Sequence, residues 1–165
     1  MNAEIRPFDA LGRARIAQLI NKTNQFNLTT LRRTEAEVEA LEHGAAAMTM
    51  QVRLKDRFGD NGMICVVVCV PEGDAWLIDT WLMSCRVLNR QVEHAVLTVL
   101  AKEARRQGVP RLVGWYLPTP KNGLVRDHYG HLGFSAASTL GKVVEGATKW
   151  VLELNQFRQI GRAHV

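Results

Sequence analysis

Cys85 is the residue in this 165-residue chain whose surroundings most favour chemistry. The hydrophobic pattern places it at the end of an apolar strand and just before a helix, followed by Arg86 and then Arg90. A helix N-terminus and nearby guanidinium groups both stabilise a thiolate, the nucleophilic form of cysteine. A thiol can accept an acyl group and hand it to another thiol with little change in bond energy. The competing reading is a buried structural cysteine. Cys65 and Cys69 lie four apart in an apolar run. In a strand they share one face about 13 Å apart, too far for one metal ion, and no other Cys/His spacing suggests zinc. They read as core, and no metal is expected.

Asp79 stands in a strand otherwise made of Trp, Leu and Ile. Burying an unpaired carboxylate is costly, so it must pair, protonate or face a cleft. In a cleft it serves as a general base or orients a substrate hydroxyl; paired, it forms a structural ion pair with an arginine. Asn24, Gln25 and Asn27 place three amides around Phe26. They suit either the hydroxyls and carbonyl of a small acyl unit or the capping of a loop. Asp60 and Asn61 read as turn residues. His94, His128 and His131 invite a Cys–His pairing, but a solvated helix face is the expectation for each.

The elements that position these residues follow from periodicity. Residues 3–8 read as a short strand, and Asp9 as the cap of a helix with Leu11, Ile16, Leu19 and Ile20 inward. Residues 21–30 form a loop. Thr34 with Glu37 is a capping box ahead of Val38 and Leu41. A strand at 46–54 leads into a hairpin loop at 56–62, where Asn61-Gly62 supplies the positive φ angles of a tight turn. Met63–Val70 is apolar on both faces, so it is an interior strand. Residues 76–85 form another. The clearest helix spans 89–107, with Val92, Ala95, Val96, Val99 and Leu100 in register and Gly108 as its stop. A strand at 111–116, a second amphipathic helix at 121–132 with Val125, Tyr129 and Leu132 inward, and strands from 134 and at 149–154 complete the order. Hairpins come first and helix-connected strands later, so the sheet is mixed.

Composition bounds the rest. An apolar fraction of 47% and a charged fraction of 22% are those of a globular chain and exclude a disordered or collagen-like one. With 21 basic and 16 acidic side chains the net charge is +5, which fits an anionic partner. No lysine- or arginine-rich block points to nucleic acid. Three cysteines and an N-terminus without an apolar h-region point to a reducing cytoplasm. The longest apolar run, Met63–Pro71, is far short of a membrane span. One domain is expected over residues 1–160, with 161–165 a flexible tail.

Several segments resemble a known family. The element order resembles that of the GNAT acyltransferase fold. NKTNQFNLTT (residues 21–30), RFGDNG (57–62), IDTWLMSCRVL (78–88) and the PTPKN and YGHLGF elements within 116–134 resemble the C-terminal, GNAT-like half of FkbH-like proteins. The resemblance implies an α/β (α+β) GNAT-like domain with a mixed central sheet flanked by helices. It implies transfer of a three-carbon, glyceryl-type unit to an acyl carrier protein in polyketide biosynthesis. Cys85 would hold the unit, and Asn24, Gln25 and Asn27 would bind it. Asn122 and Tyr129 fall where GNAT enzymes often carry groups near the acyl sulfur, with Tyr129 protonating a leaving thiolate or packing in the core. The family's HAD-type phosphatase half has no counterpart in this sequence, so a partner domain in cis or in trans is expected.

One departure bears on the cofactor. GNAT proteins that use acetyl-CoA usually carry R/Q-x-x-G-x-G/A at this helix start, and its glycines let backbone amides approach the pyrophosphate. Here Asn89 and Gln91 stand at the glycine positions. Their side chains would crowd a pyrophosphate, which counts against coenzyme A. The phosphopantetheine arm of a carrier protein has no pyrophosphate, and Arg86 and Arg90 suit its phosphate or an acidic carrier helix. No covalently bound cofactor is expected. The expected site is an open groove between the Cys85 strand and the strand at 111–116. The alternatives are an acetyl-CoA-dependent N-acetyltransferase and a non-catalytic carrier-docking module.

Overall fold

The run that is apolar on both faces lies in the interior of a sheet, paired on both sides. The computed structural model describes residues 2–56, 59–84, 90–137 and 146–155. Its elements are β1 (Asn2–Arg6), α1 (Arg13–Lys22), α2 (Glu35–Ala40), β2 (Met48–Asp56), β3 (Gly59–Glu72), β4 (Ala75–Met83), α3 (Arg90–Arg106), β5 (Arg111–Tyr116), α4 (His128–His131), β6 (Ser135–Ala137) and β7 (Thr148–Glu153). A π-turn at Leu41–Ala45 extends α2, and a 3-10 turn at Gly123–Val125 precedes α4. The strands form a seven-stranded sheet in the order β1-β2-β3-β4-β5-β7-β6. The β4–β5 pair is parallel and the others are antiparallel, so the sheet is mixed and flanked by helices, as expected.

Side-chain chemistry accounts for the layers. On β3, Cys65, Val67 and Cys69 join the core under α3, while Val66 and Val68 join the core under α1 and α2. Ile16, Leu19, Ile20 and Val38 cover the second face; Val92, Val96, Leu97, Leu100 and Ala104 cover the first. The capping box forms: the Glu37 N–H donates to Thr34 Oγ1 at 3.1 Å and the Thr34 N–H to Glu37 Oε1 at 3.0 Å.

Three local expectations change. Asp9 accepts from the Gly12 N–H at 2.7 Å, and the helix begins only at Arg13, which leaves Leu11 88% exposed. Asn61-Gly62 lies inside β3, not in the turn. Leu54 pairs with Gly62 and Lys55 with Asp60, so the pairing skips Asn61, and the φ of +72° at Gly62 serves a bulge. The helix expected at 121–132 is broken into a 3-10 turn and four residues of α-helix. Asn122 takes the Thr119 N–H at 2.8 Å, which favours a tight turn over helix entry at that point.

The feature that shapes the site is a bulge in β4. Val68 pairs with Thr80 and Cys69 with Ile78, so the pairing skips Asp79. The extra residue shifts the side-chain phase. Trp76 and Ile78 before it, and Trp81 and Met83 after it, all belong to the α3-side core. A bulge bends its strand and raises its twist. Pairing of β4 with β5 accordingly covers only Trp76–Ile78 against Leu112–Gly114, although both strands run on.

Gly114 sits at this parting and is covered by the Tyr129 ring. A Cβ there would lie 2.5 Å from Tyr129 Cζ. Gly114→Ala is expected to lower stability by about 1–3 kcal/mol through overpacking, read from the urea midpoint at an unchanged m-value.

Candidate functional site

Beyond Ile78 and Gly114 the two strands leave a gap lined with backbone groups that need partners. The chain fills it with its own residues. Leu28 N–H donates to the Trp81 carbonyl at 3.2 Å, Met83 N–H to the Phe26 carbonyl at 3.0 Å, and Leu117 N–H to the Leu28 carbonyl at 2.9 Å. Asn27 makes an antiparallel bridge with Leu82. Phe26 and Leu28 are buried as the apolar members of this short strap. The groove expected to be open between these strands is therefore closed at this level.

Two amides lock the strap. Asn122 Nδ2 donates to the carbonyls of Asn27 and Leu117, both at 3.0 Å, and its Oδ1 accepts from Thr119 N–H at 2.8 Å. Tyr116 hydroxyl reaches the same oxygen at 3.3 Å. Asn27 Oδ1 accepts from Thr30 N–H at 2.9 Å, and its Nδ2 donates to the Thr23 carbonyl at 3.2 Å. Asn27 accordingly caps its own loop, and Thr30 holds a φ of +52°.

Asp79 combines both readings given to it. Its Oδ2 accepts from the Arg33 guanidinium at 2.8 Å, and the same guanidinium donates to Thr80 Oγ1 at 2.6 Å. Its Oδ1 is buried with no hydrogen-bond partner. Its backbone carbonyl accepts from Thr29 Oγ1 at 2.6 Å. Asp79 also borders a cavity of about 310 Å³, whose other walls are Thr29, Leu31, Leu77, Ile78, Trp115, Leu117 and Ala147.

The α3-side face of the parting carries an aromatic cluster. The Tyr129 ring packs on Gly114 and lies 6.0 Å from Trp81 and 4.9 Å from Phe134. Burial pushes the Tyr129 hydroxyl well above its ordinary pKa, with Cys69 and Asp79 adding to the rise. It stays protonated at neutral pH, and it has no hydrogen-bond partner. It is thus a buried donor without an acceptor, placed where β4 and β5 separate. His128, expected on a solvated face, is buried between Trp81 at 4.5 Å and Phe26 at 5.3 Å. Desolvation lowers its pKa from 6.5 to about 3, aided by His131 and His94. Its Nδ1 lies 3.9 Å from Glu93 Oε2, beyond hydrogen-bond reach.

The site residues thus fall into groups. Asp79, Tyr129, Asn27 and Asn122 converge on the parting of β4 and β5. Asn24 is 8 residues from Arg32, whose guanidinium its Oδ1 accepts, and Gln25 is exposed in the same loop. Arg90 opens α3; Cys85 and Arg86 lie outside the described residues. Cys65 and Cys69 are buried, and burial pushes both thiols up, so they are inert core. Among the described residues no cluster of His, Cys, Asp and Glu could hold a metal, and no helix is long and apolar enough to cross a membrane. Sequence reasoning missed Arg33, Thr29 and the cavity walls. One signal was present: the polar pair Asp79-Thr80 interrupts WLIDTWLM, although residues 76–78 and 81–83 are all apolar and so hide the change of phase. His128 lies three residues after Val125, on the inward side of the same turn.

No protein-family model matches the chain, and no curated protein matches it. Solved structures do. The ribosomal-protein-S18-alanine N-acetyltransferase of Escherichia coli superposes with a TM-score of 0.65 at 13% identity, over 93% of this chain and 94% of that one. The GNAT domain of S. lividans PAT gives 0.69 at 16% identity, over 92% and 90%. A chain of the NatC complex bound to Gag peptide and CoA gives 0.68 at 13% identity, over 93% and 99%. At such identities the likeness is one of fold, and the fold is that of the GNAT acetyltransferases.

The buried histidine makes a measurable prediction. Its folded pKa lies below its unfolded value, so its contribution is fully present above pH 6.5 and is lost as pH falls towards about 3. Between pH 6.5 and 5 the unfolded chain alone takes up the proton, and stability falls by about 2 kcal/mol. Urea titrations across this window are expected to show that slope in the wild type and a shallower one in His128→Phe.

Proposed function

We propose that this chain transfers an acyl group held as a thioester. The observation that carries the reading is the unpartnered Tyr129 hydroxyl, whose ring packs on Gly114 at the point where β4 leaves β5. In acyl transfer a nucleophile attacks the thioester carbonyl, and the sulfur departs as a thiolate that needs a proton. Tyr129 is a group that can give one. The shared GNAT fold supports the same chemistry, since the structures it matches include N-acetyltransferases and a complex with CoA.

In its narrower form, the proposal is that Cys85 carries a glyceryl-type unit and passes it to the phosphopantetheine arm of an acyl carrier protein, with a HAD-type partner supplying the unit. Support for this comes from the FkbH-like segments at 78–88 and 116–134, and from Asn89 and Gln91 in place of glycines. Asn24, Gln25, Arg86 and Arg90 would then serve the unit or the carrier. The second reading is direct transfer from an acyl-CoA to an amine, which the matched structures fit at least as well. In either case an arm laid along β4 has to take the Trp81 carbonyl and Met83 amide from Phe26 and Leu28.

Two incubations separate these readings. With 1,3-bisphosphoglycerate, a glyceryl or phosphoglyceryl mass gain on the wild type that is absent from Cys85→Ala is expected for the narrower form. With acetyl-CoA and a panel of primary amines, release of free thiol is expected for the second, lowered about 100-fold in Tyr129→Phe. Absence of both the mass gain and the thiol release would overturn acyl transfer by this chain.

A further inference from the structure

We infer that the cavity beside Asp79 binds an apolar alkyl or aryl group of the substrate and rejects phosphorylated or polyhydroxy units. The inference rests on the acyl-transfer reading in its acyl-CoA form, keeps a glyceryl unit out of this cavity, and adds the substrate class. Six of the eight walls are Leu31, Leu77, Ile78, Trp115, Leu117 and Ala147. The two polar walls are already engaged. Thr29 hydroxyl donates to the Asp79 carbonyl at 2.6 Å, and Asp79 Oδ2 accepts from Arg33 at 2.8 Å. Arg33 is held by Asp79 and Thr80, and the remaining Asp79 oxygen is buried. A phosphate entering this space would meet carbon walls and a carboxylate. Hydroxyls would lose water and find at most one acceptor, the buried Asp79 Oδ1.

Position and volume agree with that chemistry. Ile78 is the last β4 residue paired with β5, so the cavity borders the parting; Leu77 and Trp115 alternate with Ile78 and Gly114, which puts it on the sheet face opposite Tyr129. Its volume, about 310 Å³, lies at the lower end of ligand pockets and suits a short chain or one ring. Leu31, 40% exposed, forms its rim. The apolar group can belong to the acyl chain of the donor or to the body of the acceptor; the cavity's demand is the same.

Affinities for two series separate these sources. Acetyl-, butyryl-, hexanoyl- and octanoyl-CoA form the first; ethyl-, butyl- and hexylamine form the second. Each is titrated by the fluorescence of Trp115, with Trp115→Phe as the control for the other tryptophans. Within one series, each buried methylene is expected to tighten binding about fourfold until the cavity is full. A trend with acyl length assigns the cavity to the donor, and a trend with amine length assigns it to the acceptor. Leu31→Arg, at an exposed rim, and Leu117→Trp, which fills the space, are each expected to abolish the trend at an unchanged circular dichroism spectrum. Flat affinities in both series, or displacement of hexylamine by 3-phosphoglycerate, would overturn the inference. Thiol release reports separately on the parent reading: its absence alongside a length trend sinks acyl transfer and leaves the cavity's preference standing.

Discussion

One extra residue in β4 sets the geometry of the whole site. Asp79 is skipped in the pairing with β3, and the strand bends away from β5 within a residue of it. A regular strand would continue the parallel ladder to the end of β5 at Tyr116, narrowing the gap that Phe26–Thr30 fills. The same bulge turns Trp81 and Met83 onto the face that Trp76 and Ile78 occupy, which keeps the α3-side core continuous across the break. It also lets one guanidinium, that of Arg33, reach neighbouring Asp79 and Thr80 together. A carboxylate in an apolar strand is tolerable here because a cation meets it.

Opening a sheet leaves backbone groups without partners, and the way they are satisfied decides what the site can do. Phe26–Leu28 acts as a short substitute strand, with Asn122 and Thr29 tying it to β5 and β4. The amides of Asn27 and Asn122 are thereby engaged in holding the parting shut. Tyr129 hydroxyl, Trp81 Nε1 and His128 Nε2 are buried without partners in the same neighbourhood. Unsatisfied buried groups are uncommon in folded proteins, and three of them lie together beside the closed gap.

Much of the fold was legible because its signals are local. The capping box at Thr34 needs only Glu37, the α3 stripe needs only periodicity, and β3 announces its interior place by being apolar at every position from Met63 to Val70. What was not legible depends on partners far apart in sequence. Arg33 meets Asp79 across 46 residues, and Asn122 meets Asn27 across 95. No spacing rule links such pairs. The short α4 escaped because apolar residues at 125, 129 and 132 fit a helix, while Asn122 and Gly123 favour a turn that wins locally. His128 escaped because imidazole reads as polar, although its position follows the inward stripe. Cys85, the sharpest candidate on chemistry, lies outside the described residues, so its standing still rests on sequence.

The central claim is that a bulge parts β4 from β5 and that Phe26–Thr30 closes the gap. Amide hydrogen exchange at Leu28, Met83 and Leu117 tests it most directly, because these three N–H groups are bonded only if the strap is seated. The account expects protection within about tenfold of the Ile78 and Gly114 amides in the paired ladder. Exchange at the rate of an exposed loop, with Ile78 and Gly114 still protected, would contradict it and restore an open groove.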